Sequence, residues 1–236
     1  MKRKKIFLLH FAGGNCYSFN FLKPLLTDFD AVALELPGRG KRFDEKLITD
    51  FHEAALDIYN QIVTYPEVQD CLIFGHSMGA YLALKVSSML EAAGNPPAFI
   101  FVSGNAGPGL ICYDASKPRH TLGRSDFRKE LENMGGISNE ILENEEAYSF
   151  FEPILRADFE IAENDGLEYL SPINVPIYAL MGSEEKDVER IANWAKFTKN
   201  IFSFEILSGG HFFIYDQKEK VAEVILKNYK KLLPAI

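Results

Sequence analysis

Six short apolar runs rich in β-branched and aromatic residues punctuate the chain: Ile6–Phe11, Ala31–Leu36, Cys71–Phe74, Phe99–Ser103, Ile177–Met181 and Phe202–Leu207. As a set they lack inside/outside alternation, which is the pattern expected of strands covered on both faces. Helical spacing fills most of the intervals and predicts helices over Phe51–Tyr65, Met78–Ala93, Asp187–Lys199 and Lys218–Leu232. Asp50 stands as an N-cap for the first, with Glu53 three residues on. The second stops at Gly94-Asn95-Pro96-Pro97, where the backbone cannot continue as helix. Alternating strands and helices imply an α/β fold, a mostly parallel sheet flanked by helices.

The rhythm breaks once, between Ser103 and Ile177. Helical segments near Ser125–Met134 and Ala147–Ala162 occupy this interval, which is too long for a loop and reads as an insertion. Apolar residues Tyr148, Phe150, Phe151, Ile154, Leu155, Phe159 and Ile161 cover more than one helix face, so the helix is expected to be buried on several sides. An insertion leaving the C-terminal edge of a strand covers whatever site lies there, and a helical lid over an apolar pocket is expected.

Charge sharpens this picture. The 236 residues carry 33 acidic and 25 basic side chains, a net charge of −8, which argues against nucleic acid as a partner. Residues 130–170 hold twelve acidic residues against the single basic Arg156, so the insertion is acidic and the body near neutral. The basic start, Met1 to Lys5, followed by Ile6–Phe11, imitates a secretory signal. The apolar run is short, contains His10 and lacks a cleavage pattern, so it is read as the first strand. No apolar run approaches the ~20 residues needed to span a bilayer, and no membrane association is expected. Cys16, Cys71 and Cys112 are odd in number and form no C-x-x-C pair. That disfavours a disulfide scaffold or metal site and points to a reducing, cytoplasmic setting.

Cys71-Leu72-Ile73-Phe74 runs into Gly75-His76-Ser77-Met78-Gly79 and then into an Ala/Leu-rich helix. G-x-S-x-G between strand and helix puts Ser77 on a sharp turn with its hydroxyl exposed, while the glycines let strand and helix approach. A serine hydroxyl needs a base. Of the five histidines, His76 lies inside the turn and is expected to face under the sheet. His10 ends the first strand on the wrong loop for a base, and His52 and His120 are expected at exposed positions. His211, in Ser208-Gly209-Gly210-His211 after the last strand, falls last in the order serine, acid, histidine. The acid is expected on the loop after Ile177–Met181, where Glu185 ranks first, Asp187 second and Glu184 third. Two backbone N–H groups should receive the oxyanion: Met78, next to the nucleophile, and Ala12, in the turn Phe11-Ala12-Gly13-Gly14. That Gly-Gly turn lacks the spacings of a nucleotide-binding loop.

With these residues in place, the chain resembles the type II, editing thioesterases of nonribosomal peptide and polyketide synthesis, within the α/β-hydrolase superfamily. The resemblance rests on Phe11-Ala12-Gly13-Gly14, Glu35-Leu36-Pro37-Gly38-Arg39-Gly40-Lys41-Arg42, Gly75-His76-Ser77-Met78-Gly79-Ala80, Pro153-Ile154-Leu155-Arg156-Ala157-Asp158-Phe159 and Gly209-Gly210-His211-Phe212-Phe213. It implies one α/β-hydrolase domain over 1–236, with the helical lid at 104–172. It also implies hydrolysis of acyl or aminoacyl thioesters on the phosphopantetheine arm of acyl or peptidyl carrier proteins. No metal or dissociable cofactor is implied beyond the phosphopantetheine that the substrate carries, and a monomer is favoured. The family usually has Asp where Glu185 falls, which leaves Asp187 as the alternative acid. A medium-chain fatty-acyl thioesterase or a general carboxylesterase of the same fold is the alternative activity. Two basic clusters are candidate carrier contacts, Lys117/Arg119/Arg124/Arg128/Lys129 and Arg39/Lys41/Arg42.

Overall fold

Each of the six apolar runs yields a strand: β1 (Lys4–Leu9), β2 (Phe29–Leu34), β3 (Leu72–His76), β4 (Phe99–Ser103), β5 (Ile177–Gly182) and β6 (Phe202–Leu207). All pair in parallel, in the order β2-β1-β3-β4-β5-β6. The structure is a computed structural model that describes residues 3–66, 68–110 and 116–232; Cys112 lies outside the described residues. β1 and β2 start and stop two residues earlier than the apolar runs suggest. The ends of those runs, His10-Phe11 and Glu35-Leu36, leave the ladder and build loops.

Successive side chains along each strand feed two cores. Phe7, Leu9, Ile73, Ile100, Val102 and Ala179 pack with α1 (Phe51–Val63) and α2 (Met78–Ala92). Ile6, Leu8, Leu72, Phe74 and Phe101 pack on the other face with α6 (Phe213–Asp216) and α7 (Lys218–Leu232). Burial on both faces is why β1, β3, β4 and β5 show no alternation. The edge strand β6 departs from the expectation: Phe202, Phe204 and Ile206 alternate with Ser203 and Glu205, and Phe204 and Ile206 are exposed. Asp50 caps α1 as expected, accepting from Glu53 N–H at 2.8 Å. No described helix is long and apolar enough to cross a membrane.

Asp187–Lys199 is a 3-10 helix over Val188–Phe197 rather than an α-helix. Val188, Ile191, Trp194 and Phe197 face the core at a spacing of three, which is the 3-10 period. The interval between β4 and β5 holds α3 (Arg124–Met134), α4 (Asn139–Glu143) and α5 (Glu145–Glu163). Phe127, Leu131, Leu142, Tyr148, Leu155 and Phe159 form a third core there. The multi-sided burial expected of α5 stops short of Phe150, which is exposed and stacks on exposed Phe43 at 5.7 Å.

From β1 the chain first moves outward to β2, then returns to the other side of β1 as β3. The loops leaving β1 and β3 therefore diverge and open a crevice at the strands' C-terminal ends, the switch point where open parallel sheets place ligands. The contact of β3 and α2 with β1 is close enough to forbid side chains. A Cβ on Gly79 would lie 2.2 Å from the Leu9 carbonyl oxygen, and one on Gly75 2.0 Å from the Gly79 carbonyl oxygen. Because the obstacles are backbone, Gly79→Ala is expected to cost at least the ~1–3 kcal/mol of overpacking. That corresponds to roughly 3–10 °C in Tm by thermal unfolding for a chain of this size. Gly123→Ala, whose added Cβ meets nothing within 4 Å, is the control and should lose only what alanine costs at this N-cap of α3, about 0.5–1 kcal/mol or a few degrees at most.

Candidate active site

Ser77 sits at the junction of β3 and α2 with φ 56° and ψ −118°. A non-glycine residue there stores roughly 1–3 kcal/mol of strain, which its surroundings must hold. They do so through hydrogen bonds. Ser77 N–H donates to the Ser103 carbonyl at 2.7 Å, while the Ser77 carbonyl accepts from Ala80 N–H at 3.0 Å and from Asn105 Nδ2 at 2.9 Å. The strained turn lifts the hydroxyl off the sheet edge.

His211 Nε2 lies 3.1 Å from Ser77 Oγ, and His211 Nδ1 lies 2.8 Å from Glu185 Oε2. The carboxylate accepts from Nδ1–H, which leaves Nε2 free to accept the serine hydroxyl. The other oxygen of Glu185 accepts from Gly182 N–H at 2.8 Å. Two loops supply these partners, and the backbone laces them together: Ser183 N–H donates to the Leu207 carbonyl at 2.7 Å, and Glu184 N–H to the Gly209 carbonyl at 3.0 Å. The β5–β6 ladder is thus extended past the sheet edge and fixes the distance between acid and histidine. Of the three candidate acids, Glu185 alone bonds the imidazole. Asp187 pairs with Arg190 at 3.5 Å, and Glu184 is exposed.

Ala12 and Met78 line one cleft with Ser77 and His211. Met78 opens α2, so its N–H is among those without an intrahelical acceptor. The cleft measures about 550 Å³. Tyr81, Leu131, Met134, Leu155 and Phe159 give it apolar walls, and Arg119, Glu130 and Glu163 add charged groups on the side of the insertion. His120, expected to be exposed, is half-buried and meets Glu163 Oε2 at 2.7 Å through Nδ1.

His76 faces under the sheet as expected, whereas the burial of Arg39 escaped sequence reasoning. His76 is fully buried, on the Phe213 side of the sheet, with Nδ1 3.0 Å from Ser103 Oγ and its ring 5.0 Å from that of His211. Burial first, then the neighbouring His211, holds its pKa well below the histidine range, so it stays neutral beside His211. Arg39 is not a surface charge. It is 3% exposed and forks onto Asp158, which is 0% exposed. The other expected basic clusters are also largely neutralised. Arg124 and Arg128 pair with Glu145 and Glu152, Arg119 with Glu130 and Glu163, Lys129 with Asp126, and Arg42 with Glu45 and Asp57. Lys41 and Lys117 are exposed. Its place between two glycines in a segment shared with the family marks Arg39 out, but nothing local to it announces burial. Cys71 is buried, which pushes its thiol up to about 12, and Cys16 is half-buried with its pKa raised by burial and by Glu35.

Glu185→Gln keeps the shape of the acid but removes the charge that holds the imidazole tautomer, so kcat on a thioester should fall by roughly 10²–10⁴. Asp187→Asn should stay within about threefold of wild type, because a surface ion pair contributes little. Single-turnover rates check the ranking, and the reverse order would move the acid to Asp187.

The model of the thioesterase domain family matches residues 4–229. Gramicidin S biosynthesis protein GrsT of Aneurinibacillus migulanus is 27% identical over 235 residues, covering 97% of this chain and 90% of that protein. Linear gramicidin dehydrogenase LgrE of Brevibacillus parabrevis is 30% identical over 227 residues, covering 93% of this chain and 85% of that protein. Its name denotes different chemistry, for which this chain has no G-x-G-x-x-G fingerprint. Among solved structures, YbtT, a type II thioesterase from a yersiniabactin NRPS/PKS pathway, superposes with a TM-score of 0.88 at 25% identity, covering 98% of this chain and 94% of that one. Agreement of this extent, in sequence and in three dimensions, means that the chain belongs to the thioesterase domain family, on the α/β-hydrolase fold.

Proposed function

We propose that the chain is a type II thioesterase that removes acyl or aminoacyl groups from the phosphopantetheine arm of carrier proteins in nonribosomal peptide or polyketide assembly, by a Ser77–His211–Glu185 triad. The observation that carries this reading is the unbroken hydrogen-bonded chain from Ser77 through His211 to Glu185, opening onto an apolar cleft. The relatives with a named role in such pathways, and the YbtT structure, support the substrate class.

Ser77 Oγ attacks the thioester carbonyl carbon while its proton passes to His211 Nε2. Glu185 stabilises the resulting imidazolium. The carbonyl's electron pair moves onto oxygen, where the N–H groups of Ala12 and Met78 receive it. Collapse re-forms the carbonyl and breaks the C–S bond, and the pantetheine sulfur leaves with the proton from His211. Water then gives a proton to His211 and attacks the acyl-serine. Collapse of that second intermediate returns the proton to Ser77 Oγ and releases the carboxylic acid. No step requires a metal or redox cofactor. The insertion at 104–172 serves as the lid of the cleft, and Leu131, Met134, Leu155 and Phe159 from its helices contact the acyl group. Since the chain carries a net charge of −8 and the basic groups near the cleft are mostly paired within it, the carriers dock through short-range contacts rather than long-range attraction.

Ser77→Ala should lower hydrolysis of an acyl-pantetheine thioester by at least about 10³, with circular dichroism and Tm nearly unchanged, because alanine keeps the backbone hydrogen bonds that hold the turn. Retained turnover would overturn the reading. Faster hydrolysis of medium-chain fatty-acyl or oxygen esters than of short acyl or aminoacyl thioesters on a carrier would assign the alternative activity.

A further inference from the structure

Two buried side chains outside the triad converge on the turn that carries Ala12. The Ala12 N–H shares a trans peptide with the Phe11 carbonyl, so the two point in opposite directions. The Phe11 oxygen is gripped by His10 Nδ1–H at 2.8 Å and by Gly14 N–H at 2.9 Å. The next peptide is gripped as well: Gly13 N–H donates to Asp158 Oδ2 at 2.7 Å. Both peptides flanking the Ala12 Cα are therefore held by groups other than their own strand.

The grips are linked. Leu36 N–H donates to His10 Nε2 at 3.4 Å. With a carbonyl at one nitrogen and an amide donor at the other, His10 is restricted to the neutral Nδ1–H tautomer. Burial and the nearby Arg39 hold its pKa down to about 4, in keeping with that form. Three residues beyond Leu36, Arg39 forks onto Asp158. A closed circuit therefore runs from His10 to Leu36, along the chain to Arg39, across to Asp158, to Gly13 and back through Phe11. Asp158 belongs to α5, the long helix of the insertion. Leu155, one turn earlier, stands against Gly13 so closely that a Cβ there would lie 2.6 Å from its Cδ2. Gly13 also has φ +77°, a conformation that side chains resist.

We propose that Asp158 and His10 are positioning residues for the oxyanion hole: they orient the peptides on either side of Ala12, and because Asp158 rides on α5, the hole is assembled only while the insertion is seated on the body. This rests on the catalytic reading above. An insertion that lifts to admit substrate releases the Gly13 amide, and its return restores the Ala12 N–H to the position that receives the oxyanion. Catalytic competence and lid closure are then one event.

The test compares wild type, Asp158→Asn, His10→Leu and His10→Asn on one acyl-pantetheine thioester, with two analogues of it. An acyl trifluoromethyl ketone adds Ser77 Oγ and places an oxyanion in the hole, while the matching thioether has no carbonyl. In Asp158→Asn, kcat should fall by about 30-fold or more with KM within about threefold, given the 10²–10³ lost when an oxyanion donor is removed outright. Ketone affinity should fall by about the same factor as kcat, and thioether affinity should hold. Fluorophosphonate titration counts the competent sites. Removing the charge leaves Arg39 buried and unpaired, so if Asp158→Asn does not fold, the His10 pair decides. His10→Leu should show the same split, and His10→Asn, whose amide nitrogen can stand where Nδ1 stood, should be at least about tenfold better. Unchanged kcat, equal losses for ketone and thioether, or equal defects in the two His10 variants would overturn the proposal. A wild-type protein that forms no ketone adduct on Ser77 would instead remove the catalytic reading itself.

Discussion

The backbone contact at the end of β3 governs the rest of the site. Gly75 and Gly79 let strand and helix meet where no side chain fits, and Gly79 rests against the end of β1. This contact drives Ser77 to positive φ, sends its hydroxyl above the sheet and aligns the first N–H of α2 with it. It also brings the loop after β1 beside the nucleophile, because β1 and β3 are neighbours at the switch point. The strain is held by Ser103 and Asn105, residues from the end of β4 where the insertion departs. The proposed nucleophile, the proposed oxyanion donors and the insertion therefore share one small region of backbone.

The remaining partners are delivered by extending regular structure. β5 and β6 run parallel, and their hydrogen bonding continues into the loops that carry Glu185 and His211. Distances that catalysis needs within tenths of an ångström are thus set by a ladder rather than by flexible loops. On the opposite flank, two of the segments that carry the family resemblance, around Arg39 and around Asp158, meet as one buried ion pair. A pair that deep contributes little net stability. Its fork geometry is specific, however, and fixes α5 over the Phe11–Gly14 turn.

The parts legible in the sequence are those encoded locally. The central strands show as apolar runs because both sheet faces are covered there, and the sharp turn at Ser77 shows through glycines spaced for it. The acid was less legible. Glu184, Glu185 and Asp187 lie within four positions, and the choice depends on a turn in which Gly182 and Glu185 exchange backbone and side-chain bonds. The segment after Asp187 is legible as a helix, but its 3-10 type shows only in the three-residue spacing of Val188, Ile191, Trp194 and Phe197. Arg39 was read as a surface charge because its partner is remote in sequence, and no local pattern announces a pairing made by tertiary structure. His10 was set aside as a base for the right reason, its loop, yet that same loop gives it a structural grip on the turn beside the nucleophile.

All of this converges on acylation of one side chain. The most direct measurement is rapid acid quenching of the protein within its first turnover on an acyl-pantetheine thioester, followed by intact-mass analysis and peptide mapping. The account predicts a mass increase equal to the acyl group, located on the peptide containing Ser77 and decaying as the free acid appears. Acyl group on Cys16 or another residue during turnover, or turnover with no covalent adduct, would contradict it.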